Sequence, residues 1–211
     1  GMTDGERPGR RRSRFDIMTR PLVYGGNRVR LLENGDEYFP RLLAAIEGAA
    51  RSIYLETYIF AQDSVGTRVS DALAIAADRG VAVRVIVDGF GTGWFAATLK
   101  QRLEVVGAQV VIYRPERWWR LERRLLRRLH RKLVLVDDQL AFVGGINIID
   151  DHHHPDAESA DLGPRFDFAV MCEGPIVASI AYAMKRLWWT LELLQLRRRS
   201  GSPQVLALES V

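Results

Sequence analysis

The sequence predicts an α/β fold, a three-layer α/β/α sandwich with a sheet between two layers of helices. Two largely apolar runs, 53–60 and 81–87, have the length and composition of buried strands. The segments before them, 36–50 and 67–79, carry apolar residues at helical spacing. Because strands and helices alternate in this way, helices are expected to cover the faces of the sheet. A chain of 211 residues is long enough for one such domain with short tails.

The individual elements follow from periodicity and from their end signals. The first predicted helix, 36–50, places Tyr38 and Ile46 on one face behind two possible caps, Asn34 and Asp36. In chain order the others are a helix over 67–79 that Gly80 ends, a helix over 94–106, a strand over 109–113, a helix over 118–128, a hairpin of strands 133–136 and 141–143, a long loop over 151–165, a strand over 166–171 and a helix over 176–196.

The ends of the chain differ in composition from its middle. Residues 1–20 are rich in arginine, glycine and proline and have little apolar periodicity, so we expect a flexible basic arm. The compact domain is expected over 21–196. Residues 197–211 include the linker-like Ser200-Gly201-Ser202-Pro203 and are expected to form a linker or tail.

Charge and cysteine content restrict the partners and the compartment. A formal net charge of +4 favours anionic partners such as phospholipid surfaces, nucleic acid or phosphate esters. Cys172 is the only cysteine, which excludes an internal disulfide, and its apolar neighbours predict an inert thiol in the core. No apolar stretch reaches the roughly 18 residues that a membrane span needs. We therefore expect a cytoplasmic protein that binds the cytoplasmic membrane peripherally.

One short stretch carries the groups that phosphoryl transfer needs. An imidazole can attack phosphorus or protonate a leaving oxygen, and a fixed cation with amide donors can stabilise the charge that develops on the other oxygens. The groups are His130, Lys132, Asp137, the pair Gly144-Gly145, and Asn147. Since side chains alternate along a strand, His130 and Lys132 should project to one face and Asp137 to the other.

The spacing His-x-Lys-x4-Asp-x6-Gly-Gly-x-Asn resembles the signature of the phospholipase D superfamily. The segments 52–60 and 79–89 resemble the strands that precede the motif in bacterial cardiolipin synthases, and Glu173-Gly174-Pro175 before a long helix fits the same pattern. The resemblance covers roughly 25–195, the length of one repeat, and is greatest to the N-terminal repeat of those synthases.

This resemblance implies phosphatidyl transfer between glycerophospholipids through a phosphohistidine. In such enzymes one histidine attacks phosphorus, and the histidine of a second motif protonates the leaving alcohol. This chain carries one motif, so a second repeat or a homodimer partner would have to complete the site. No cofactor or metal is implied, because lysine and asparagine side chains would supply the charge stabilisation.

The remaining motif residues have a functional and a structural interpretation. Asp137 is expected to support the backbone of the motif or a basic residue behind the site, or to be a plain turn residue. The glycine pair would let the backbone approach a ligand and Asn147 would donate its amide to phosphate, or the glycines would form a bulge before a loop. The carboxylate of Asp167 would anchor the second ring nitrogen of the nucleophilic histidine, or Asp167 would be a solvated aspartate at a strand end.

Two further features have competing interpretations. Consecutive residues cannot all face one metal ion, so the triplet His152-His153-His154 is expected at a polar loop tip. The segment 114–131 interleaves tryptophan and leucine with arginine, which suits an anionic membrane surface or a surface helix packed on the core. Its candidate membrane contacts are Trp118, Trp119, Arg120 and Arg124. Glu56, in an apolar strand, is either buried with a partner or near the site.

Two other functions compete with phosphatidyl transfer. A phosphodiesterase or nuclease of the same superfamily would also use the motif, and the basic arm would suit a nucleic-acid backbone. The chain would instead be a catalytically silent, membrane-binding half if no second motif faces its own.

Overall fold

The computed structural model describes residues 22–113, 132–153 and 166–199, and its centre is one mixed sheet. Within this part of the chain the sheet has eight strands in the order β1-β2-β8-β7-β6-β3-β4-β5. The strands are β1 (Leu22–Tyr24), β2 (Asn27–Glu33), β3 (Ser52–Thr57), β4 (Ala82–Asp88), β5 (Gln109–Tyr113), β6 (Lys132–Val136), β7 (Leu140–Gly144) and β8 (Phe168–Glu173).

Helices cover both faces of the sheet, which confirms the α/β sandwich. The described helices are α1 (Asn34–Glu47), α2 (Ser64–Asp78), the short α3 (Gly89–Thr92), α4 (Phe95–Glu104) and α5 (Ile176–Arg199). Residues of α1, α2 and α4 share one buried apolar cluster with one face of the sheet. The other face packs on α5, where Trp188 is buried against the ring of Tyr54.

The strand directions bring several strand ends to one edge of the sheet. Strands β3, β4 and β5 are parallel, whereas β6 is antiparallel to β3, and β7 and β8 are antiparallel to their neighbours. The ends of β3, β4 and β7 therefore lie beside the beginnings of β6 and β8. We call this the motif edge, because Lys132 begins β6 there.

Most predicted elements are present with shifted ends, and two strands were missed. The strand 109–113 has the predicted bounds, and the helix predicted over 36–50 occupies Asn34–Glu47. Strands β1 and β2 were not predicted. The strand predicted to reach Phe60 ends at Thr57, because the chain then leaves the sheet and pairs with Ile148 in an isolated bridge. The predicted helix 118–128 lies outside the described residues.

The predicted caps of α1 are wrong. The cap position is Glu33, and no side chain at that position caps the helix. Asn34 has a left-handed φ of 55° and bonds elsewhere, while the amide of Gly35 donates to the carboxylate of Asp151, 116 residues away. The amide of Gly35 at the helix N-terminus is thus capped by a distant loop.

Within 22–113, 132–153 and 166–199, no helix combines the length and the apolar character that crossing a bilayer requires. The outer side of α5 carries several exposed apolar side chains. Trp189, next to the buried Trp188, is 56% exposed. Other exposed apolar residues of α5 are Ile176, Tyr182, Leu193 and Leu196.

Candidate active site

The motif residues at the motif edge lie on adjacent strands. Lys132, the first residue of β6, is opposite Gly144 at the end of β7, and Gly144 is opposite Ala169 in β8. Opposed residues of neighbouring strands project to the same face, so these positions line one row across the sheet. His130 lies outside the described residues, two positions before Lys132.

Lys132 supplies a half-buried cation to this row. Burial lowers the pKa of its ammonium group below the ordinary value, and the negative charge of Asp167 opposes that shift. The lysine is therefore partly desolvated and lies within the field of one carboxylate. A cation in such surroundings attracts phosphoryl oxygens more strongly than a fully solvated one.

Asp167 lies directly against the glycine pair of the motif. A Cβ on Gly145 would be 2.2 Å from Oδ1 of Asp167, and one on Gly144 would be 2.4 Å from the carbonyl oxygen of Phe168. The amide of Gly145 also donates to that carbonyl at 2.9 Å. Both glycines are thus required by the close approach of β8 and Asp167. Their predicted role in admitting a ligand stays a prediction.

Asn147 is held by the end of β3. Its Oδ1 accepts a hydrogen bond from the amide of Ile59 at 3.0 Å, and the hydroxyl of Thr57 lies 3.3 Å from the same oxygen. These bonds fix the orientation of the side-chain amide. Neither bond involves the side-chain nitrogen of Asn147, which is the donor that a phosphoryl oxygen needs.

Asp137 lies at the opposite end of β6, about 16 Å along the strand from Lys132. Its carboxylate accepts from the amides of Ala50, Arg51 and Ser52 at 2.7–3.0 Å. Partial burial raises the pKa of Asp137, but these three bonds and the charge of Arg51 outweigh it, so the pKa is below the ordinary value. Asp137 therefore ties the hairpin to the turn before β3. A catalytic role for Asp137 stays a prediction.

The described part of the histidine triplet belongs to a loop bonded to α2. Nδ1 of His153 lies 3.1 Å from Oδ2 of Asp63, the residue that caps α2 by accepting from the amide of Gly66. Among the described residues, no three His, Cys, Asp or Glu side chains are grouped as a metal site would require. His154 lies outside the described residues.

Glu56 and Cys172 are both buried away from the row of motif residues. Glu56 is 2% exposed and opposite Leu133, so its side chain leaves the sheet on the face opposite to Lys132. The sequence predicted that Glu56 is either buried or near the site, and the structure shows that it is buried. Cys172 is buried in the cluster under α5, as predicted, and burial raises the pKa of its thiol.

Exposed aromatic side chains flank the motif edge. Phe90 and Trp94 follow β4 and are 72% and 75% exposed, while Phe166 and Phe168 stand at the start of β8. The two pairs are four strand spacings apart, about 19 Å. No role was predicted for these four residues from the sequence, since isolated aromatic residues in loops carry no periodic signal. The membrane-contact candidates Trp118, Trp119, Arg120 and Arg124 lie outside the described residues.

Asp63, Asp151 and the partner of Asn34 were not predicted from the sequence, although these side chains connect loops around the site. The side-chain oxygen of Asn34 accepts a hydrogen bond from the amide of Asp167. The carboxylate of Asp63 accepts from the amide of Asp150, and that of Asp151 accepts from the amide of Gly35. The only available signal was residue type, because Asn and Asp favour caps and turns.

Comparison with known proteins agrees with the geometry. Residues 42–160 match the family described as "Cardiolipin synthase, PLD-like domain". The chain is 39% identical over 176 residues to cardiolipin synthase B of Salmonella typhimurium, covering 78% of this chain and 41% of that protein. It is 35% identical over 194 residues to cardiolipin synthase B of Escherichia coli K12, covering 86% and 46%. The chain thus spans less than half the length of these relatives.

Solved structures share the fold at low sequence identity. The phospholipase D family member Nuc from Salmonella typhimurium has a TM-score of 0.56 and 19% identity, over 77% of this chain and 94% of that one. NucT from Helicobacter pylori has a TM-score of 0.52 and 12% identity, over 78% and 95%. These likenesses support the sandwich architecture alone.

Proposed function

Because the chain belongs to the cardiolipin synthase, PLD-like domain family, we propose that it transfers phosphatidyl groups between glycerophospholipids. The observation that carries this proposal is the row at the motif edge. There a half-buried Lys132 begins β6, Asn147 follows β7 and is bonded to the end of β3, and Asp167 immediately precedes β8. Such a site provides cationic and amide stabilisation for a phosphoryl group.

In the proposed reaction, a ring nitrogen of His130 attacks phosphorus while the bond from phosphorus to the leaving alcohol breaks. The histidine of a second motif donates a proton to that alcohol. It then accepts the proton of an acceptor alcohol, which attacks phosphorus and breaks the phosphorus–nitrogen bond, so both histidines are regenerated. Lys132 and Asn147 stabilise charge on the non-bridging oxygens, and Asp167 anchors His130. Water as the acceptor would give hydrolysis instead.

A second repeat or a homodimer partner is part of the proposal, since the sequence has one motif. Two observations support it. The chain spans less than half the length of the synthases that it matches. The outer side of α5, with Tyr182, Trp189 and Leu193, presents an apolar surface of the kind that protein partners cover.

We also propose that the protein acts at the surface of an anionic phospholipid membrane, as a peripheral protein on the cytoplasmic side. The exposed pairs Phe90/Trp94 and Phe166/Phe168 support this, because they flank the motif edge and aromatic rings favour the headgroup level of a bilayer. The arginine-rich segment 114–131 would add electrostatic attraction.

The test incubates the full chain with vesicles of fluorescent phosphatidylglycerol in EDTA, with its solution mass measured in parallel. We expect a lipid carrying two phosphatidyl groups, formed by a dimer. Phosphatidic acid as the sole product would indicate a hydrolase, and cleavage of nucleic acid without lipid turnover would indicate a nuclease. A dimer or monomer that is inactive on all substrates would identify a silent half. Activity that EDTA abolishes and a divalent ion restores would overturn the metal-free mechanism.

The phosphate-binding roles give a graded prediction. Truncating Lys132 or Asn147 to alanine should lower turnover by about a hundredfold or more, the usual loss for one donor to a developing oxyanion. The matched control is Lys100→Ala, which removes a lysine that pairs with Glu104 far from the motif edge. Turnover numbers from steady-state assays decide the matter, and equal losses in Lys132→Ala and Lys100→Ala would contradict these assignments.

A further inference from the structure

Asn34, at the junction of β2 and α1, forms a reciprocal pair with Asp167, 133 residues away in sequence. The amide of Asn34 donates to the carbonyl oxygen of Asp167 at 2.8 Å. In return, the amide of Asp167 donates to Oδ1 of Asn34, also at 2.8 Å. Both backbone polar groups of Asp167 are thereby bound by one residue.

The backbone of Asn34 is adapted to this contact. Its φ of 55° lies in the left-handed region, which costs free energy for most residues and which asparagine tolerates better than most. The next residue is fixed too, because Gly35 donates to both carboxylate oxygens of Asp151 at 3.0 and 3.1 Å. A Cβ on Gly35 would be 2.9 Å from Oδ1 of Asp151. The junction is therefore hydrogen-bonded to Asp167 through Asn34 and to the loop that contains Asp151 through Gly35.

This pair holds the backbone from which the Asp167 carboxylate projects. The carboxylate lies against Gly145, accepts from the amide of Phe168 at 2.8 Å, and acts electrostatically on Lys132. Asp167 precedes the first residue of β8, so the sheet alone does not fix its backbone. Asn34 supplies that missing constraint.

We propose that Asn34 is a positioning residue, which holds the Asp167 carboxylate beside Lys132 through its side-chain oxygen. An effect of Asn34 on catalysis rests on the proposed function, whereas its effect on the position of Asp167 does not. Asn34 would touch no substrate and would act only through Asp167. The competing interpretation is that Asn34 merely begins α1.

The test follows the titration of Lys132 by NMR of its ¹³Cε atom. The sequence contains three lysines, Lys100, Lys132 and Lys185, so the spectrum is simple and two lysines serve as internal references. Asn34→Gly can keep the left-handed backbone and the backbone amide donor, and it removes the side chain with its Oδ1 acceptor. Because Asp167 raises the pKa of Lys132, we expect a lower Lys132 pKa in Asn34→Gly and a still lower one in Asp167→Asn.

The double variant Asn34→Gly/Asp167→Asn should titrate like Asp167→Asn alone, because residues that act through one group are not additive. Glu37→Gln is the matched control. It alters another hydrogen bond at the start of α1, from the amide of Glu33, without touching Asp167. An unchanged Lys132 titration in Asn34→Gly, or the same shift in the Asp167→Asn background, overturns the proposal.

Two further measurements keep the test decisive. If Asn34→Gly does not fold, Gly145→Ala displaces the Asp167 carboxylate from its other side and should also lower the pKa of Lys132. An unchanged titration there overturns the proposal. In an active complex, Asn34→Gly should lower kcat about tenfold or more with little change in KM, since it misplaces a catalytic group. The Lys132 titration is independent of turnover, so an inactive chain would contradict the proposed function and leave this inference intact.

Discussion

Replacing His130 with alanine should lower phosphatidyl transfer by about 10⁴-fold or more, because no other group in the motif can form the covalent bond to phosphorus. The residual rate would come from the proposed phosphate-binding residues Lys132 and Asn147, which the substitution would leave in place. The melting temperature should remain that of the unaltered chain, since the described core clusters consist of apolar side chains and His130 is expected to face the site. Rapid-quench assays of the complete enzyme, with lipid products separated by chromatography, measure the loss.

His152→Ala is the matched control for this experiment. It deletes another imidazole, in a loop where His152 is bonded through its backbone amide to Asp150. Normal turnover is expected. Trapping the intermediate with labelled lipid should give an acid-labile phosphohistidine that is absent from His130→Ala. Near-normal turnover in His130→Ala would reject the nucleophile and the acid/base roles together.

Replacing Asp137 with asparagine should lower the free energy of unfolding by about 2 kcal/mol or more, because the substitution removes a charged acceptor of three backbone hydrogen bonds. Asparagine is the suitable replacement, since Asp137 has a left-handed φ of 53° that asparagine tolerates. Denaturant unfolding monitored by circular dichroism gives the difference.

The same variant has a defined pH dependence. Asp137 has a lowered pKa in the fold, so its contribution to stability is present above its ordinary pKa of about 3.9 and is lost as the pH falls through the lower, folded pKa. The difference between the unaltered chain and Asp137→Asn should therefore be largest near neutral pH and shrink in acid. A difference that does not change with pH would contradict the charge-assisted role.

The neighbouring aspartate provides the matched control. Asp138 lies in the same turn, also has a left-handed φ, and pairs with Lys185 at 2.6 Å on the surface. Exposed ion pairs contribute little, so Asp138→Asn should cost under about 1 kcal/mol. Equal costs for Asp137→Asn and Asp138→Asn would mean that the bonds to the turn before β3 contribute nothing specific.

Elements with local signals were predictable from the order of the residues alone. The strand 109–113 was predicted because its apolar pattern is a property of adjacent residues. The end of α2 at Gly80 was predicted because glycine readily adopts the positive φ that follows a helix. The spacing from His130 to Asn147 likewise identified the family, which the match over 42–160 confirms. His130 itself and the membrane role of 114–131 stay predictions.

The partners of the polar side chains, by contrast, depend on how distant parts of the chain pack together. Asn34 was expected to cap α1, but its oxygen binds the amide of Asp167, and Asp151 caps the helix instead. Trp188 is buried and Trp189 exposed, although the two are adjacent in sequence and alike in chemistry. These outcomes depend on the approach of strands and loops more than a hundred residues apart, or on the side of a helix that meets the sheet. No local pattern encodes contacts between residues so far apart in sequence. Residue type therefore predicted that the polar side chains would form hydrogen bonds, and the packing of the sheet determined which groups are their partners.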